Sequence, residues 1–278
     1  VDGVIGIDPV FLQYLLGLVG NVSLPDGTVV DGTNAAKVLM HDVYWNYPVE
    51  ESDGIFAAVA SAAFDKILGG IGDVDVTKLV SAVERGAEEG RLIAWMRNDD
   101  EQSAIKETGI DASLPDPDDP SADPVAGVYF NNLSFSKLDW YLNADTQIGQ
   151  GIKNGDGTCS YRITVTLTNI MTQEEAGKLP DYVAASAPDA ARDDERLNVS
   201  LFAPTGGNIS DLTVEGTQFG LGAATWHGIP FYSGTVDLHA GETTTITYTL
   251  TTSAEAGDKP LTLRQTPTCQ AARDSASA

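Results

Sequence analysis

The hydrophobic positions at the start of the chain are clustered rather than alternating. Residues 4–7 form a short apolar run rich in β-branched side chains, which is typical of a strand. Asp8 and Pro9 then supply an N-cap and a first helical residue, and apolar residues recur on one side of the chain until Gly20. The pattern predicts a strand that leads directly into a packed helix, which is half of an α/β layer.

This first strand, Val4 to Ile7, has the composition of a strand that is covered on both faces. Such a strand at an exposed edge would be an aggregation hazard. We therefore expect it to lie inside a sheet and to pair with an upstream segment of the same protein, present as a separate piece, a cleaved fragment or a symmetry-related copy. The alternative is an outer edge strand. On the first interpretation the α/β domain is incomplete at its N-terminus.

Residues 31–109 carry four further helical patterns. The predicted N-caps are Asp31 or Thr33, then Ser52, Asp75 and Asp99, and the predicted ends are Pro48, Gly69-Gly70 and Gly109. Between the last two helices, the continuous apolar run Leu92–Met96 predicts a buried strand. A loop rich in proline and aspartate follows at 114–124, and 127–132 with 138–142 are predicted to form a hairpin.

Helical periodicity disappears at about residue 151, where Thr, Val, Gly and Ser become dominant. Residues 161–168, 197–202 and 243–251 alternate cleanly, and about seven short antiparallel strands joined by Gly- and Asp-rich turns are typical of an immunoglobulin-like sandwich. The predicted architecture is an α/β domain, residues 1–150, followed by an all-β immunoglobulin-like sandwich, residues 151–270. The tail 271–278 is too small and polar to pack, and we expect it to be disordered.

The net charge of −24 over 278 residues excludes two classes of partner. Nucleic acids and anionic lipid headgroups both require basic patches, so neither is expected to bind. A solubility adaptation explains the acidic surface most simply, and a cation-binding surface is the alternative. No apolar run in the sequence is long enough to span a membrane.

Cys159 and Cys269 bracket the predicted all-β domain. Their placement suits a disulfide that ties the first and last strands of this domain. Such a disulfide would stabilise the folded state by about 4–5 kcal/mol through loop entropy. A disulfide would also imply an oxidising compartment. Two unrelated buried thiols are the alternative. No Cys-x-x-Cys or Cys/His cluster is present, so a zinc site is not expected.

The sequence assigns no catalytic, cofactor-binding or metal-binding residue. The sequence contains three histidines, His41, His227 and His239, but no Gly-x-Ser-x-Gly nucleophile elbow, so it does not indicate a catalytic triad of this type. His227 beside Trp226 is a candidate for lining a ligand pocket, with packing inside a loop as the alternative. Aspartates at 116–123 and Asn154 with Asp156 have oxygen ligands for calcium, although such clusters are also ordinary turn residues.

Aromatic residues suggest a second kind of binding surface. They can stack on sugar rings if they share an exposed face, and they can equally form core and interdomain packing. The candidates are Tyr44, Trp45, Tyr47, Tyr129, Trp140 and Tyr141.

Several stretches, taken together and in order, indicate a family resemblance. They are Asp2-Gly-Val-Ile-Gly-Ile-Asp-Pro-Val, Val22-Ser-Leu-Pro-Asp-Gly, Asp42-Val-Tyr, Phe56-Ala-Ala-Val-Ala, Arg91-Leu-Ile-Ala-Trp, Gly127-Val-Tyr-Phe-Asn-Asn, Lys137-Leu-Asp-Trp-Tyr-Leu and Leu179-Pro-Asp-Tyr-Val. These stretches resemble the actinobacterial domain of unknown function 4012. The resemblance implies a membrane-anchored, extracytoplasmic protein of the Gram-positive cell envelope, with an additional segment before the position of Val1 and no established activity. No functional residue can be carried over from it.

A fainter likeness is to the LytR-CpsA-Psr phosphotransferases, which attach glycopolymers to peptidoglycan. It rests on the strand and helix of residues 5–20 and on Asp31-Gly-Thr-Asn-Ala-Ala before a helix. That family holds a lipid pyrophosphate with arginines after this helix start, whereas residues 39–45 here contain none. The sequence therefore predicts a non-catalytic envelope module that binds glycan or another surface protein, with a glycopolymer phosphotransferase as the alternative.

Overall fold

The computed structural model describes residues 1–24, 26–215 and 222–270. The chain forms two compact units, Val1–Ser113 and Leu114–Ala278. Within the described ranges, no helix combines the length and the hydropathy that crossing a bilayer requires. The predicted tail, 271–278, lies outside the described residues.

The first unit mixes helices with short strands. β1 pairs antiparallel with β4, and β2 pairs antiparallel with β3. A π-helical segment, Val38–Asp42, joins α2 to α3. In chain order the elements are β1 (Gly3–Ile7), α1 (Pro9–Val19), β2 (Val22–Ser23), β3 (Val29–Val30), α2 (Ala35–Lys37), α3 (Val43–Asn46), α4 (Val49–Gly70), α5 (Val76–Glu88), β4 (Leu92–Met96) and α6 (Asp99–Glu107).

Helix α1 begins and ends as the sequence predicts. The Asp8 side chain accepts the backbone N–H of Phe11 at 2.7 Å, and Pro9 is the first helical residue. Gly20 ends the helix with a φ of 96°, a conformation that favours glycine. The helix also meets the following segment backbone to backbone, because a Cβ on Gly32 would lie 2.4 Å from the Cα of Gly17.

The other predicted helices of this unit form with shifted boundaries. Asp75 caps α5 as predicted, and its side chain accepts the N–H of Thr77. Helix α4 begins before its predicted cap, Ser52, which is buried inside the helix. Asn98 caps α6 in place of Asp99, since the side chain of Asn98 accepts two backbone N–H groups of the first turn.

Strand β4 is buried on one face only, which corrects the prediction of a fully buried strand. Leu92 and Ala94 are buried, whereas Ile93 is 47% and Trp95 49% exposed. The core of the unit instead lies among α1, the β2–β3 pair and α2 to α4. Its buried members are Leu16, Val22, Leu24, Val30, Ala35, Val38, Leu39, Val43, Val59 and Ala63.

The second unit is rich in strands. A 3₁₀ turn, Leu138–Tyr141, precedes β6. The elements are β5 (Val125–Asn132), β6 (Leu142–Ile148), β7 (Ile152–Lys153), β8 (Cys159–Asn169), α7 (Gln173–Ala176), β9 (Glu195–Phe202), β10 (Asn208–Glu215), β11 (Gly222–Trp226), β12 (Ile229–Leu238), β13 (Thr243–Thr251) and β14 (Thr262–Gln265).

These strands form two sheets of five strands each. The first has the order β10-β13-β8-β6, with β7 also paired to β8, and the second has the order β11-β12-β9-β5-β14. One buried cluster contains side chains from both sheets, so the two sheets share a core. A mixed helix and strand region followed by a strand-rich region is therefore confirmed, and the immunoglobulin-like type stays a prediction.

The boundary between the units falls after Ser113 rather than near residue 150. The reason is that β5 pairs with β9 and β14, and β6 pairs with β8. The predicted hairpin of these two strands does not form, because β5 and β6 belong to different sheets. The strands that pair with β5 and β6 come later in the chain. The local sequence of β5 and β6 does not indicate which strands these are.

In the structure, Cys159 and Cys269 are not bonded to each other, so the predicted disulfide is not formed. Cys159 begins β8, whereas Gln270, next to Cys269, donates to the carbonyl of Trp140 near the start of β6. That end of β6 pairs with Asn169, the last residue of β8. The length of β8, roughly 30 Å, therefore separates the two thiols, and a disulfide needs Cα atoms within about 7 Å.

We expect both thiols to react with iodoacetamide in the denatured, unreduced protein, because the fold holds them apart. Intact mass spectrometry should show two labels, the same number as in a sample reduced beforehand. An unreduced sample without labels would instead show that the disulfide forms.

Candidate functional site

The outer face of the second sheet carries a cluster of aromatic side chains. Phe202 of β9 and Phe231 of β12 are paired in register, and their rings stack with centroids 4.6 Å apart and planes 9° apart. Tyr129 of β5 meets Phe202 edge-on at 5.8 Å. Together with Trp226 at the end of β11, these residues are called the aromatic cluster.

Gly127 provides the room for this cluster. It is paired with Phe202 and is buried beneath the rings. A Cβ at this position would lie 2.8 Å from the ring of Tyr129 and 3.0 Å from the Cβ of Phe202. Any larger residue would therefore displace the aromatic side chains from the sheet.

Trp226 is positioned by a tight turn between β11 and β12. His227 and Gly228 have φ values of 47° and 84°, the left-handed pair of a two-residue type I′ hairpin loop. Trp226 is 37% exposed, and the ring of His227 lies edge-on to it at 4.3 Å. Trp226 lines an open groove, whereas His227, the residue that the sequence suggested for a pocket lining, occupies the turn beside it.

An open groove runs over the aromatic cluster. Its walls include the rings of Tyr129, Phe202 and Trp226, with Gly127 and Ile229 at its base. Leu114 and Pro115, together with Val125 and Ala203, complete the lining. The groove is mostly apolar and open to solvent, so it offers a contact surface rather than an enclosed cavity.

Uncharged polar side chains continue the same face along the strands. The hydroxyl groups of Ser200 and Ser233 lie 3.0 Å apart, and Ser233 donates to the amide oxygen of Asn198 at 3.0 Å. In register, Asn131 and Thr235 flank Asn198 on the neighbouring strands. These five residues are called the polar ladder. It offers hydroxyl and amide groups that both donate and accept hydrogen bonds.

Arg264 of the edge strand β14 is paired in register with Gly127 beside the aromatic cluster. Arg196 and Asp237 lie beyond the polar ladder, and the Nε of Arg196 lies 2.7 Å from Asp237. Burial raises the pKa of Tyr129, although the charge of Arg264 lowers it in part. Its phenol therefore stays neutral at physiological pH and can act as a hydrogen-bond donor.

The other predicted aromatic candidates do not join this surface. Tyr44, Trp45 and Tyr47 belong to the first unit, where Tyr44 packs on Phe56 and Trp45 stacks on His41. In the second unit, Tyr141 is buried. Of the six residues predicted, Tyr129 alone contributes to the aromatic cluster.

His41 and His239 interact locally with neighbouring acids. The Nδ1 of His41 lies 2.7 Å from Asp42, and that of His239 lies 3.7 Å from Asp193. These contacts, and the stacking of His41 on Trp45, are those of structural histidines.

The aspartate-rich loops satisfy their own backbones. Asp116, Asp119 and Asp156 each accept the N–H of the residue two positions further on, as in Asx turns. Among the described residues, no group of three or more His, Cys, Asp or Glu side chains is placed to hold a metal ion. The turn interpretation accounts for these carboxylates.

The arginines of the first unit lie against carboxylates. Arg91 contacts Asp8 and Glu89, and Arg85 also contacts Glu89. Arg97 contacts Asp2 on the surface. Their charges are compensated by carboxylates within the unit.

Sequence reasoning did not single out Phe202 and Phe231. A signal for Phe202 was present, because it follows Asn198 and Ser200 on the polar face of an alternating strand. An aromatic residue in that position is exposed on a solvated face of the sheet. The proximity of Phe231 and Trp226 to it depends on the pairing of β11, β12 and β9, which the sequence does not reveal.

Comparisons with known proteins support the family resemblance in part. The model of a family described as "Protein of unknown function (DUF4012)" matches residues 1–44. No curated protein sequence matches the chain. A crystal structure from Legionella pneumophila subsp. pneumophila str. Philadelphia 1, of a protein provisionally described as nutrient binding, is 10% identical with a TM-score of 0.25. The alignment covers 48% of this chain and 45% of that one, so the chain spans less than half of its length.

Proposed function

We propose that this chain is an extracytoplasmic module of the actinobacterial cell envelope that binds a neutral glycan on the outer face of its second sheet. The observation that carries the proposal is the aromatic cluster lying beside the uncharged polar ladder. Sugar rings present apolar C–H faces and a rim of hydroxyl groups. The aromatic rings can stack on the C–H faces, and the polar ladder can form hydrogen bonds with the hydroxyl groups.

The charge of the chain supports a neutral ligand. With a net charge of −24, the protein repels polyanions such as phosphorylated or sulfated polymers. The aromatic cluster and the polar ladder themselves contain no lysine or arginine, and Arg264 adjoins the cluster from the edge strand β14. An uncharged saccharide meets no such repulsion.

The envelope location rests on the resemblance to the family and on the family match over residues 1–44. Protease treatment of intact cells of the source organism tests it. Digestion of the protein without cell lysis is expected, and full protection under those conditions would contradict the location.

We expect Trp226→Ala and Phe202→Ala to weaken glycan binding by roughly tenfold or more, because each removes a ring that lines the groove and a stacking surface worth about 1.4 kcal/mol. The probes are cellohexaose and mannohexaose, with their sulfated forms as charged counterparts. Isothermal titration calorimetry gives the dissociation constants, and the quenching of tryptophan fluorescence reports contact with Trp226.

Tyr182→Ala is the matched control, since Tyr182 is 47% exposed in the same unit but does not line the groove. This variant should bind like the wild type. Stronger binding of the sulfated probes, or equal binding by Trp226→Ala and the wild type, would refute the proposed site.

A further inference from the structure

The two edges of the small β1–β4 sheet differ. The N–H of Arg97 donates to the carbonyl of Asp2 at 2.9 Å, and the N–H of Asp8 donates to that of Arg91 at 3.2 Å. Since hydrogen-bonded pairs alternate in an antiparallel ladder, Val4 and Gly6 also bond toward β4. The N–H and C=O groups of residues 3, 5 and 7 therefore point away from β4.

The outer edge of β4 is closed by other parts of the unit. The N–H of Ala94 donates to the carbonyl of Ile110 at 2.8 Å, and that of Met96 donates to the side-chain oxygen of Gln102 at 2.7 Å. By contrast, no strand in the described part of the chain pairs with the outer edge of β1. Ile5, at the middle of that edge, is 64% exposed. A two-stranded sheet with such an edge is only marginally stable alone.

The sequence of β1 is complementary to itself in side-chain size about Ile5, because a large residue on one side corresponds to a glycine on the other. Reading outward from Ile5, one direction gives Val4 and Gly3, and the other gives Gly6 and Ile7. If two copies of β1 pair antiparallel about a twofold axis at Ile5, Gly3 lies opposite Ile7 and Val4 lies opposite Gly6. Each glycine then leaves room for a β-branched side chain of the other copy.

We propose that a second copy of this chain pairs with the open edge of β1, joining the two-stranded sheets of both copies into one sheet of four strands. The outward groups of Gly3, Ile5 and Ile7 bond to the same groups of the other copy. This interface is self-complementary, as a twofold dimer requires. A foreign strand would need glycines at matching positions, and β1 itself provides them.

The surroundings of the edge suit the pairing. Val4, Ile93 and Trp95, which share one face of the sheet, are 54%, 47% and 49% exposed and gain apolar neighbours from the other copy. At the ends of the paired strands, Asp2 faces Asp8 of the other copy. Both carboxylates already contact arginines, which limits the repulsion.

Sedimentation velocity of the full chain tests the proposal. We expect a species of twice the 29.3 kDa of one chain, populated further as ionic strength rises, because salt screens the repulsion between copies that each carry −24. Ile5→Lys should produce a monomer, since it places two like charges at the twofold axis. Ile152→Lys, at a site 67% exposed in the second unit, is the matched control and should remain dimeric.

Cross-linking tests the register. In a background with Cys159→Ser and Cys269→Ser, Ile5→Cys should form an intermolecular disulfide under mild oxidation, because paired residues lie about 5.5 Å apart at Cα. Val4→Cys faces Gly6 of the other copy and should not. A monomer at every concentration, a dimer that Ile5→Lys leaves intact, or cross-linking through Val4→Cys would each overturn the proposal. A monomer whose Ile5 N–H exchanges slowly would indicate a different strand on this edge, such as an upstream segment.

Discussion

Arg91→Ala is expected to lower the free energy of unfolding of the first unit by about 3–5 kcal/mol, because it leaves two carboxylates without their buried partner. The Arg91 side chain is 6% exposed and lies 2.7 Å from Asp8 and 2.5 Å from Glu89. Glu89 also accepts from Arg85 and from the hydroxyl of Tyr14. The network thus connects the start of α1 to the end of α5 and to β4.

Arg91→Ala should also change how the stability of the first unit depends on pH in the acidic range. Burial by itself would raise the pKa of Glu89, but hydrogen bonds from Arg85, Arg91 and Tyr14 hold it below the usual value. A lowered carboxyl pKa stabilises the folded state above the unfolded pKa of about 4.3, and that contribution is lost as the pH falls. Arg91→Ala should therefore destabilise strongly at neutral pH and less in acid.

Arg97→Ala is the control for this prediction. Arg97 is 60% exposed and contacts a fully exposed Asp2, so its loss should change stability by no more than about 0.5–1 kcal/mol. Hydrogen exchange of amides in α1 and β4 reads out the first unit separately from the second. Equal exchange in the two variants would show that the buried network does not stabilise the unit.

Glu195→Gln is expected to stabilise the second unit at alkaline pH. Glu195, the first residue of β9, is fully buried, and its two carboxylate oxygens have no hydrogen-bond partner among the described residues. Burial raises the pKa of Glu195 well above its usual value, and the charges of Asp139 and Asp194 add to this effect. The folded state therefore favours the protonated acid.

The sign follows from this raised pKa. Below the unfolded pKa of about 4.3 the carboxyl is neutral in both states, and as the pH rises toward the folded pKa, folding costs at most about 1.4 kcal/mol more per pH unit. Glu195→Gln removes this cost, so the two proteins should be equally stable near pH 4 and diverge as the pH rises. Burial also raises the pKa of Asp139. The stability of the wild type and of the variant should therefore both keep some dependence on pH.

The difference in stability between the wild type and Glu195→Gln is measured by denaturant unfolding at several pH values. Hydrogen exchange of amides in β9 and β12 reports the unfolding of the second unit. Glu255→Gln is the control, because Glu255 is exposed in the same unit and should leave the pH profile unchanged. A Glu195→Gln profile parallel to the wild type would show that Glu195 is ionised and compensated in the folded protein.

Local sequence was sufficient for many elements of the fold. The cap at Asp8, the end at Gly20 and the cap at Asp75 depend on residues within a few positions of one another, so their chemistry can be interpreted without a partner. Alternation in β8, β9 and β13 depends only on the period of a strand. These signals predicted the change from a mixed to a strand-rich region.

The candidate site was predictable only in part. Tyr129 was one of the six aromatic candidates and lines the groove, as does Trp226, which was named only as the neighbour of His227. Phe202 and Phe231 were missed, since their role depends on the register that pairs them. Buried Glu195 was also not predicted, because an acidic residue at the start of an alternating strand looks the same whether that end of the strand is covered or solvated.

By itself, the sequence determined which segments form most of the helices and strands and how the faces of the long strands alternate, because those properties arise from neighbouring residues. The tertiary structure alone decided that β5 and β6 belong to the strand-rich unit, that Gly127 lies beneath aromatic rings from distant strands, and that β4 is the one strand paired with β1 among the described residues. The physical reason is the same in each case. Strand pairing joins segments separated by many residues, and a strand's own sequence specifies its faces but not its neighbours.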